Sequence, residues 1–236
     1  MKVTNYGHAA IGVEFGGRHL LFDPFISGNP LAFSIDPDQI PADYIFVSHG
    51  HQDHIQDLVR IAKRTKATLI SNAEIVSWAG GKGVKGQAMN HGGKWKFDFG
   101  VVKFVNAAHS SSLPDGANGG NPGGFVVWND EQCFYFAGDT ALTMDMRLIP
   151  ELCPKLDLAI LPIGDNYTMG YEEALLASDF VKCDRILGMH YDTFGLIKID
   201  ARLAIDAFKA RGKELILLPI GKSMDLGILE LNTWEK

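Results

Sequence analysis

The sequence predicts an α/β protein in which β-sheets lie between helices that cover their outer faces. Short apolar runs typical of buried strands occur along the whole chain, and in the second half they alternate with segments whose apolar residues recur at helical spacing. With 236 residues, of which 46% are hydrophobic and 21% charged, the chain can bury a large core. Because it contains no Pro/Ser-rich linker, charge block or short-period repeat, we expect a single domain over residues 1–236.

The N-terminal part of the chain predicts a hairpin, a buried strand and a helix. Gly16-Gly17 separates two apolar runs, which is typical of a hairpin turn. A nearly continuous apolar run at 43–48 indicates a strand buried on both faces. The predicted elements are the strands Lys2–Tyr6, Ala9–Phe15, Arg18–Phe22 and Asp43–Ser48 and the helix His54–Thr65.

The remaining chain is β-rich in its middle and alternates helix with strand afterwards. A strand at Ala67–Ser71 precedes a helix that Asn72 can cap and that ends near Ala79. Strands are then predicted at Lys94–Phe99, Val101–Ala107, Gly124–Trp128 and Gln132–Ala137. The helices Met144–Leu152, Glu172–Val181 and Ala201–Ala210 lead to the strands Leu158–Pro162, Arg185–Met189 and Glu214–Pro219.

Composition narrows the classes of partner and compartment. A formal net charge of −6 without a Lys/Arg cluster argues against nucleic acid as a partner. The chain has no apolar run long enough to span a membrane and no secretory signal at its start, so we expect neither a membrane partner nor secretion. Three cysteines without a CxxC pair do not form a disulfide framework, which favours the cytoplasm. The composition is compatible with a monomer or a homo-oligomer.

The segment His49-Gly50-His51-Gln52-Asp53-His54 is the strongest chemical signal in the chain. Three imidazoles and one carboxylate follow an apolar run on what the pattern predicts to be a strand-to-helix loop. Such clustering costs desolvation and repulsion, which a purely structural loop has no reason to bear. Imidazole and carboxylate suit Zn²⁺, Mn²⁺ or Fe, so the segment predicts a metal site.

Three further residues stand where predicted strands end, as His49 does. They are His109, Asp139 and His190. A lone strand-end His or a Gly-Asp-Thr is more often a solvated or turn residue than a ligand. Together with the His49–His54 segment, however, they can converge on one edge of the sheets and supply the ligands that a second metal needs.

In these motifs the chain resembles the metallo-β-lactamase superfamily. The resemblance is carried by His49-x-His51-x-Asp53-His54, followed in order by His109, Asp139 and His190, and it spans essentially the whole chain. Gly7-His8-Ala9 and the 23–30 and 189–194 segments make it similar to a small bacterial and archaeal branch of uncharacterised metal-dependent hydrolases. That branch is also similar to lactonases that open sugar-phosphate lactones.

The resemblance implies a four-layer αββα sandwich with two divalent metal ions at one edge. Zn is expected first, with Mn, Fe or Ni as alternatives. Position by position, His49, His51 and His109 bind one ion, Asp53, His54 and His190 bind the other, and Asp139 bridges them. Two carboxylates against two divalent ions leave a net positive charge, so a bridging water should ionise near neutral pH and act as the nucleophile.

The implied function is a metal-dependent hydrolase acting on a small-molecule ester, lactone, amide or phosphodiester. A metal-binding sensor or scaffold of the same fold, without hydrolytic activity, is the alternative; the complete ligand set argues against it. The candidate catalytic residues are Asp53, which is also a predicted metal ligand, and His8 and Tyr191, which are not. We expect Asp23 to hold a ligating His. Tyr191 and Thr193 flank His190 and could donate to an oxyanion, although a Tyr beside a strand end more often serves packing. The loops Leu113–Gly124 and Ile26–Asp38 are expected to shape the substrate pocket.

Overall fold

Two seven-stranded sheets face each other in the computed structural model, which describes residues 1–227. The strands, numbered along the chain, are β1 Lys2–Gly7, β2 Ala10–Phe15, β3 Arg18–Phe22, β4 Tyr44–Phe46, β5 Thr68–Asn72, β6 Gly86–Met89, β7 Lys94–Lys96, β8 Val101–Asn106, β9 Gly123–Trp128, β10 Cys133–Phe136, β11 Leu158–Pro162, β12 Arg185–Met189, β13 Glu214–Ile216 and β14 Ser223–Asp225. The helices are α1 Gln52–Ile55, α2 Leu58–Thr65, α3 Ala73–Gly80, α4 Ile149–Leu152, α5 Tyr171–Phe180 and α6 Ala201–Ala210.

Both sheets are mixed. The first has the order β14-β1-β2-β3-β4-β5-β6, antiparallel from β14 to β3 and parallel from β3 to β6. The second has the order β13-β12-β11-β10-β9-β8-β7, parallel from β13 to β10 and antiparallel from β10 to β7. In each sheet, therefore, the parallel strands end at a common edge.

Three apolar cores separate four layers, which confirms the predicted αββα sandwich. Phenylalanines from both sheets, such as Phe22 and Phe134, pack between the sheets with ring centroids 5.7 Å apart. A second core joins the second sheet to α5 and α6, and a third joins the first sheet to α2 and α3. Of the helices within residues 1–227, none combines the length and apolarity needed to cross a bilayer.

Several predicted elements differ in extent from those observed. The helix predicted to start at His54 is divided into α1 and α2 near Asp57. The Asp57 carboxylate accepts hydrogen bonds from Ile26 N, Ser27 N and Ser27 Oγ. The segment after Met144 begins as a 3₁₀ helix. The strand predicted to reach Phe99 stops at Lys96, because Phe97 turns back onto the Gly100 carbonyl.

The remaining differences concern strands near sheet edges. The strand predicted to reach Pro219 ends at Ile216, where its ladder with β12 stops at the Leu187–Ile216 pair. The edge strands β6 and β14 were not predicted, because their half-exposed sequences carry no clear apolar alternation. By contrast, β3, β11, β12 and α6 begin and end at the predicted residues.

Candidate metal centre

The residues of the His49–His54 segment are presented by the short loop from β4 to α1. His51 is the N-cap of α1 with extended backbone, so Asp53 and His54 lie in the first turn of that helix. Gly50 is packed so closely that a Cβ would lie 3.2 Å from the Leu113 side chain. The loop 113–124 therefore packs behind the segment, and its predicted place in the substrate pocket is not observed.

His49, His51 and His109 form what we call the first donor set. One ring nitrogen from each lies within 4.8 Å of the others. His49 Nε2 and His51 Nδ1 are 2.9 Å apart. His51 Nε2 lies 3.3 Å from the Ser110 hydroxyl. His49 is fully buried, whereas His51 and His109 are partly exposed.

Asp53, His54 and His190 form the second donor set. Their ligand-type atoms, together with one from His8, also lie within 4.8 Å of one another. His54 and His190 are buried, and the Asp53 side chain is 28% exposed. The structure thus brings the predicted ligands together in two groups, three residues in each.

Asp139 lies between the two groups. Its Oδ2 is 3.0 Å from His190 Nε2 and 3.3 Å from His54 Nε2 on one side. On the other side it is 3.6 Å from His109 Nε2 and 4.0 Å from His49 Nε2. One buried carboxylate oxygen therefore faces ring nitrogens of both donor sets.

Asp23 orients one histidine of each donor set. Its carboxylate accepts hydrogen bonds from Ser48 N (2.7 Å), Ser48 Oγ (2.6 Å) and His54 Nδ1 (2.8 Å). Because the Ser48 hydroxyl donates to Asp23, His49 Nδ1 donates to Ser48 Oγ, 2.9 Å away. In both histidines Nδ1 is then the donor to the supporting oxygen and Nε2 faces the site, as expected for residues that hold metal ligands.

His8 holds Asp53. Its Nε2 lies 3.2 Å from Asp53 Oδ2 and its Nδ1 lies 2.9 Å from the Thr193 hydroxyl. Burial, followed by the nearby His190, lowers the pKa of His8 to about 4. The neutral ring can therefore donate from Nε2 to the carboxylate while its Nδ1 accepts from Thr193.

The backbone is in the left-handed region at three positions of this site. His8, Asp23 and His190 have φ values of 56°, 41° and 57°. This conformation is uncommon for residues other than glycine and clusters at functional sites. It turns each side chain back toward the centre directly after its strand.

The electrostatics of the two donor sets differ. Burial lowers the pKa of His49, His51 and His109, so these rings are neutral and ready to bind a cation. Burial alone would raise the pKa of Asp139, but His190 and His54 hold it well below its ordinary range. Burial likewise opposes the charge of His54, yet Asp139 and Asp23 raise its pKa well above 6.5.

A cavity of about 300 Å³ opens over the two donor sets. It is lined by His51, Asp53, His109, Ser110, Asp139, Tyr167, His190 and Phe194. We refer to it as the metal cleft. Neither of the loops expected to shape the pocket, 26–38 and 113–124, contributes to this lining.

Tyr191 does not line the metal cleft. It lines a separate cavity of about 180 Å³ next to His8, and burial raises the pKa of its hydroxyl to about 12. Its catalytic role stays a prediction.

Three residues that line the metal cleft were not predicted from the sequence: Tyr167, Phe194 and Ser110. A signal for Tyr167 exists, because its loop follows β11, which lies between the strands that carry Asp139 and His190.

Comparison with known proteins identifies the family. Residues 18–191 match the model of the beta-lactamase superfamily domain. The chain belongs to the metallo-β-lactamase superfamily. It is 58% identical over 226 residues to a UPF0173 metal-dependent hydrolase of Flavobacterium johnsoniae, covering 96% of this chain and 100% of the relative.

Two further relatives extend this result within the metallo-β-lactamase superfamily. The Bacillus subtilis UPF0173 metal-dependent hydrolase YtkL is 40% identical over 232 residues, with 96% of this chain and 98% of the relative covered. The structure of Igni18, a metallo hydrolase from Ignicoccus hospitalis, superposes with a TM-score of 0.86 at 33% identity, covering 96% and 99% of the two chains. The predicted enzyme class, a metal-dependent hydrolase, is thereby confirmed.

Proposed function

We propose that this enzyme is a dinuclear hydrolase that cleaves a small-molecule ester, lactone, amide or phosphodiester. The observation that carries the proposal is the position of Asp139 Oδ2, within 4.0 Å of a ring nitrogen from each donor set. A carboxylate in that position can bind two cations at once. The first donor set would hold one ion, the second donor set the other.

The chemistry of the donors fits cations at both positions. In the first donor set, His49 Nε2 and His51 Nδ1 lie 2.9 Å apart. One cation can therefore bind both nitrogens when neither carries a proton. In the second donor set, His54 Nε2 and, beside it, Asp139 Oδ1 are buried and have no hydrogen-bond partner among the described residues. Buried polar atoms of this kind require a partner.

Divalent ions bound here would lower the pKa of a water to near neutrality and polarise the bond to be cleaved. Zn is the first expectation, and Mn, Fe and Ni suit the same donors. The residues of the chain supply the rest. Asp23 keeps the Nε2 atoms of His49 and His54 directed inward, and His8 keeps Asp53 in place. Asp53 can also orient the attacking water, although its ligand role comes first.

Several broader expectations accompany this proposal. We expect one hydrolase domain over residues 1–236, a location in the cytoplasm and a small-molecule substrate. We expect neither a nucleic-acid nor a membrane partner, and a homo-oligomer stays possible. The acidic net charge of −6 supports the expectation about nucleic acid.

The alternative, a metal-binding sensor or scaffold, is distinguished by assay. The metal content of the purified protein would be measured by elemental analysis, and hydrolysis of p-nitrophenyl acetate, a simple lactone and bis(p-nitrophenyl) phosphate would be followed with and without chelator. We expect turnover of at least one substrate, abolished by the chelator and restored by metal. Metal-loaded protein that is inert toward the whole panel would favour the sensor.

A pair of histidine variants locates the activity. His51→Ala should abolish turnover without unfolding the domain, because His51 is partly exposed and touches little of the core. His19→Ala, at a histidine of β3 outside the site, serves as the matched control and should retain activity. Retained activity with full metal content in His51→Ala contradicts the assignment.

A further inference from the structure

Two large aromatic side chains are left exposed at the metal cleft. Tyr167 is 53% exposed and Phe194 is 38% exposed, and both line the cleft beside His190 and Asp139. Aromatic side chains that converge on a concave site are typical of ligand pockets, in which a few polar groups act beside apolar walls. Neither residue is used by the hydrolytic chemistry proposed above.

Tyr167 is presented by a tightly closed loop. Gly164 and Gly170 pair across the base of this loop, and Asp165 N donates to Met169 O at 3.0 Å. Asp165 and Asn166 have φ values of 60° and 58°, so two consecutive non-glycine residues are in the left-handed region. Such strain persists only where the surrounding structure enforces it, and it is concentrated at binding sites.

The same loop is anchored to the metal centre on both sides. Met169 N donates to the carbonyl of Thr140, the residue after Asp139, at 3.0 Å. A Cβ on Gly164 would collide with the carbonyl oxygen of His190, so the backbones are in close contact there. The backbone of the loop that carries Tyr167 is therefore held in place relative to the donor sets.

Phe194 is fixed as well. Its ring packs edge-on against His8 with centroids 5.4 Å apart, and its carbonyl accepts from Ile197 N at 3.1 Å. The preceding residue, Thr193, bonds to His8. The backbone that carries Tyr167 and the ring of Phe194 are thus in place before a substrate binds, which lowers the entropy cost of binding.

The cleft provides no side-chain cation. Within residues 1–227, no Lys or Arg lines either the metal cleft or the neighbouring cavity beside His8. Recognition of a phosphate remote from the reacting bond generally needs Arg, Lys or a helix N-terminus. Metal ions could interact with the group being cleaved, but a second phosphate would have no partner in this lining.

We propose that the part of the substrate beyond the scissile bond is a flat, apolar and uncharged group that packs between Tyr167 and Phe194, and not a phosphorylated sugar. This inference rests on the hydrolytic function proposed above. It assigns both aromatic residues to substrate specificity and separates this enzyme from lactonases that open sugar-phosphate lactones.

A matched series of esters tests the proposal on the metal-loaded protein. The p-nitrophenyl esters of acetic acid, phenylacetic acid and 4-(phosphonooxy)phenylacetic acid share one leaving group and differ only in the acyl part. We expect the KM of the phenylacetyl ester to be about tenfold lower than that of the acetyl ester, and the added phosphate to cancel this gain. Tyr167→Ala and Phe194→Ala should each remove most of the gain, measured as the ratio of the acetyl-ester KM to the phenylacetyl-ester KM in the same variant.

Trp95→Ala, at another half-exposed aromatic residue far along the second sheet, is the control and should change nothing. Equal KM values for the acetyl and phenylacetyl esters, or tighter binding of the phosphorylated ester, would overturn the proposal. If no ester is turned over, the affinities of phenylacetate and acetate for the metal-loaded protein can be measured by calorimetry. We expect phenylacetate to bind about tenfold more tightly than acetate, and Tyr167→Ala to abolish the difference. Failure of hydrolysis alone contradicts the proposed function, whereas equal binding contradicts this inference.

Discussion

The two donor sets are built from similar residues but are supported differently. In the first donor set the support comes from hydroxyls, Ser48 beside His49 and Ser110 beside His51. In the second donor set the support comes from charged or buried groups: Asp23 bonds His54, and His8, itself bonded to Thr193, bonds Asp53. We infer that the second donor set depends more strongly on residues that never touch metal or substrate.

The largest effect on this comparison is expected from Asp23→Asn. The substitution removes the charge that fixes His54 and, through Ser48, His49. We expect metal affinity to fall by about 10- to 100-fold, more for the second donor set. Asp57→Asn is the matched control, because Asp57 is also a buried carboxylate with three donors but lies outside the site. Metal titration of both variants measures the difference. Equal losses of metal affinity in Asp23→Asn and Asp57→Asn would contradict the positioning role of Asp23.

Substitution of His8 should have the next largest effect. His8→Phe removes the donor to Asp53, and we expect activity to fall about tenfold with partial loss of metal from the second donor set only. His8→Gln can restore a donor and should recover much of the loss. Kinetics and elemental analysis of both variants check this expectation. If Gln is no better than Phe, His8 acts in some way other than by holding Asp53.

The pH dependence of stability should also distinguish the two donor sets in metal-free protein. The pKa of His54 is raised by Asp139 and Asp23, so its protonated form stabilises the fold below pH about 6.5 and that contribution is lost as pH rises through the raised pKa. The histidines of the first donor set, with lowered pKa, are already neutral there. Thermal unfolding of chelated protein should therefore move to lower temperature above neutral pH.

Metal-loaded protein and a chelated His54→Gln variant should lack this alkaline decline, because neither has a protonated ring at position 54. A chelated wild-type protein whose unfolding temperature is flat from pH 6 to about pH 9 would show that His54 is neutral without metal.

The smallest effect is expected from Ser110→Ala. The Ser110 hydroxyl lies 3.3 Å from His51 Nε2 at a partly exposed position, where water can replace it. We expect activity to change by less than about threefold. A loss comparable with that of Asp23→Asn would show that the hydroxyl support of the first donor set matters as much as the carboxylate support of the second.

The sequence predicted much of the fold because the buried strands are nearly continuous apolar runs. β11 and β12 were predicted to the residue, and they carry the loops that place Tyr167 and His190. The half-exposed edge strands β6 and β14 carry no such pattern. Asp57 broke the predicted helix through bonds to residues about thirty positions away, which no local pattern shows.

The candidate site was predicted in its composition but not in its surroundings. The ligand-type residues stand at strand ends, so their convergence follows from sheet topology. The bond between His8 and Asp53 joins residues 45 positions apart, and its partner Thr193 lies 185 positions from His8. Tyr167 was overlooked because a loop aromatic is informative only once the strands on either side of its loop are known.

The most direct test of the central claim is the number of metal ions bound per chain in the wild-type protein and in two single variants. We predict about two ions in the wild type and about one in each of His51→Ala and His190→Ala, since each substitution disables one donor set and leaves the other with Asp139. A wild-type protein that binds a single ion at saturation, or variants that lose both ions together, would contradict two donor sets sharing one carboxylate.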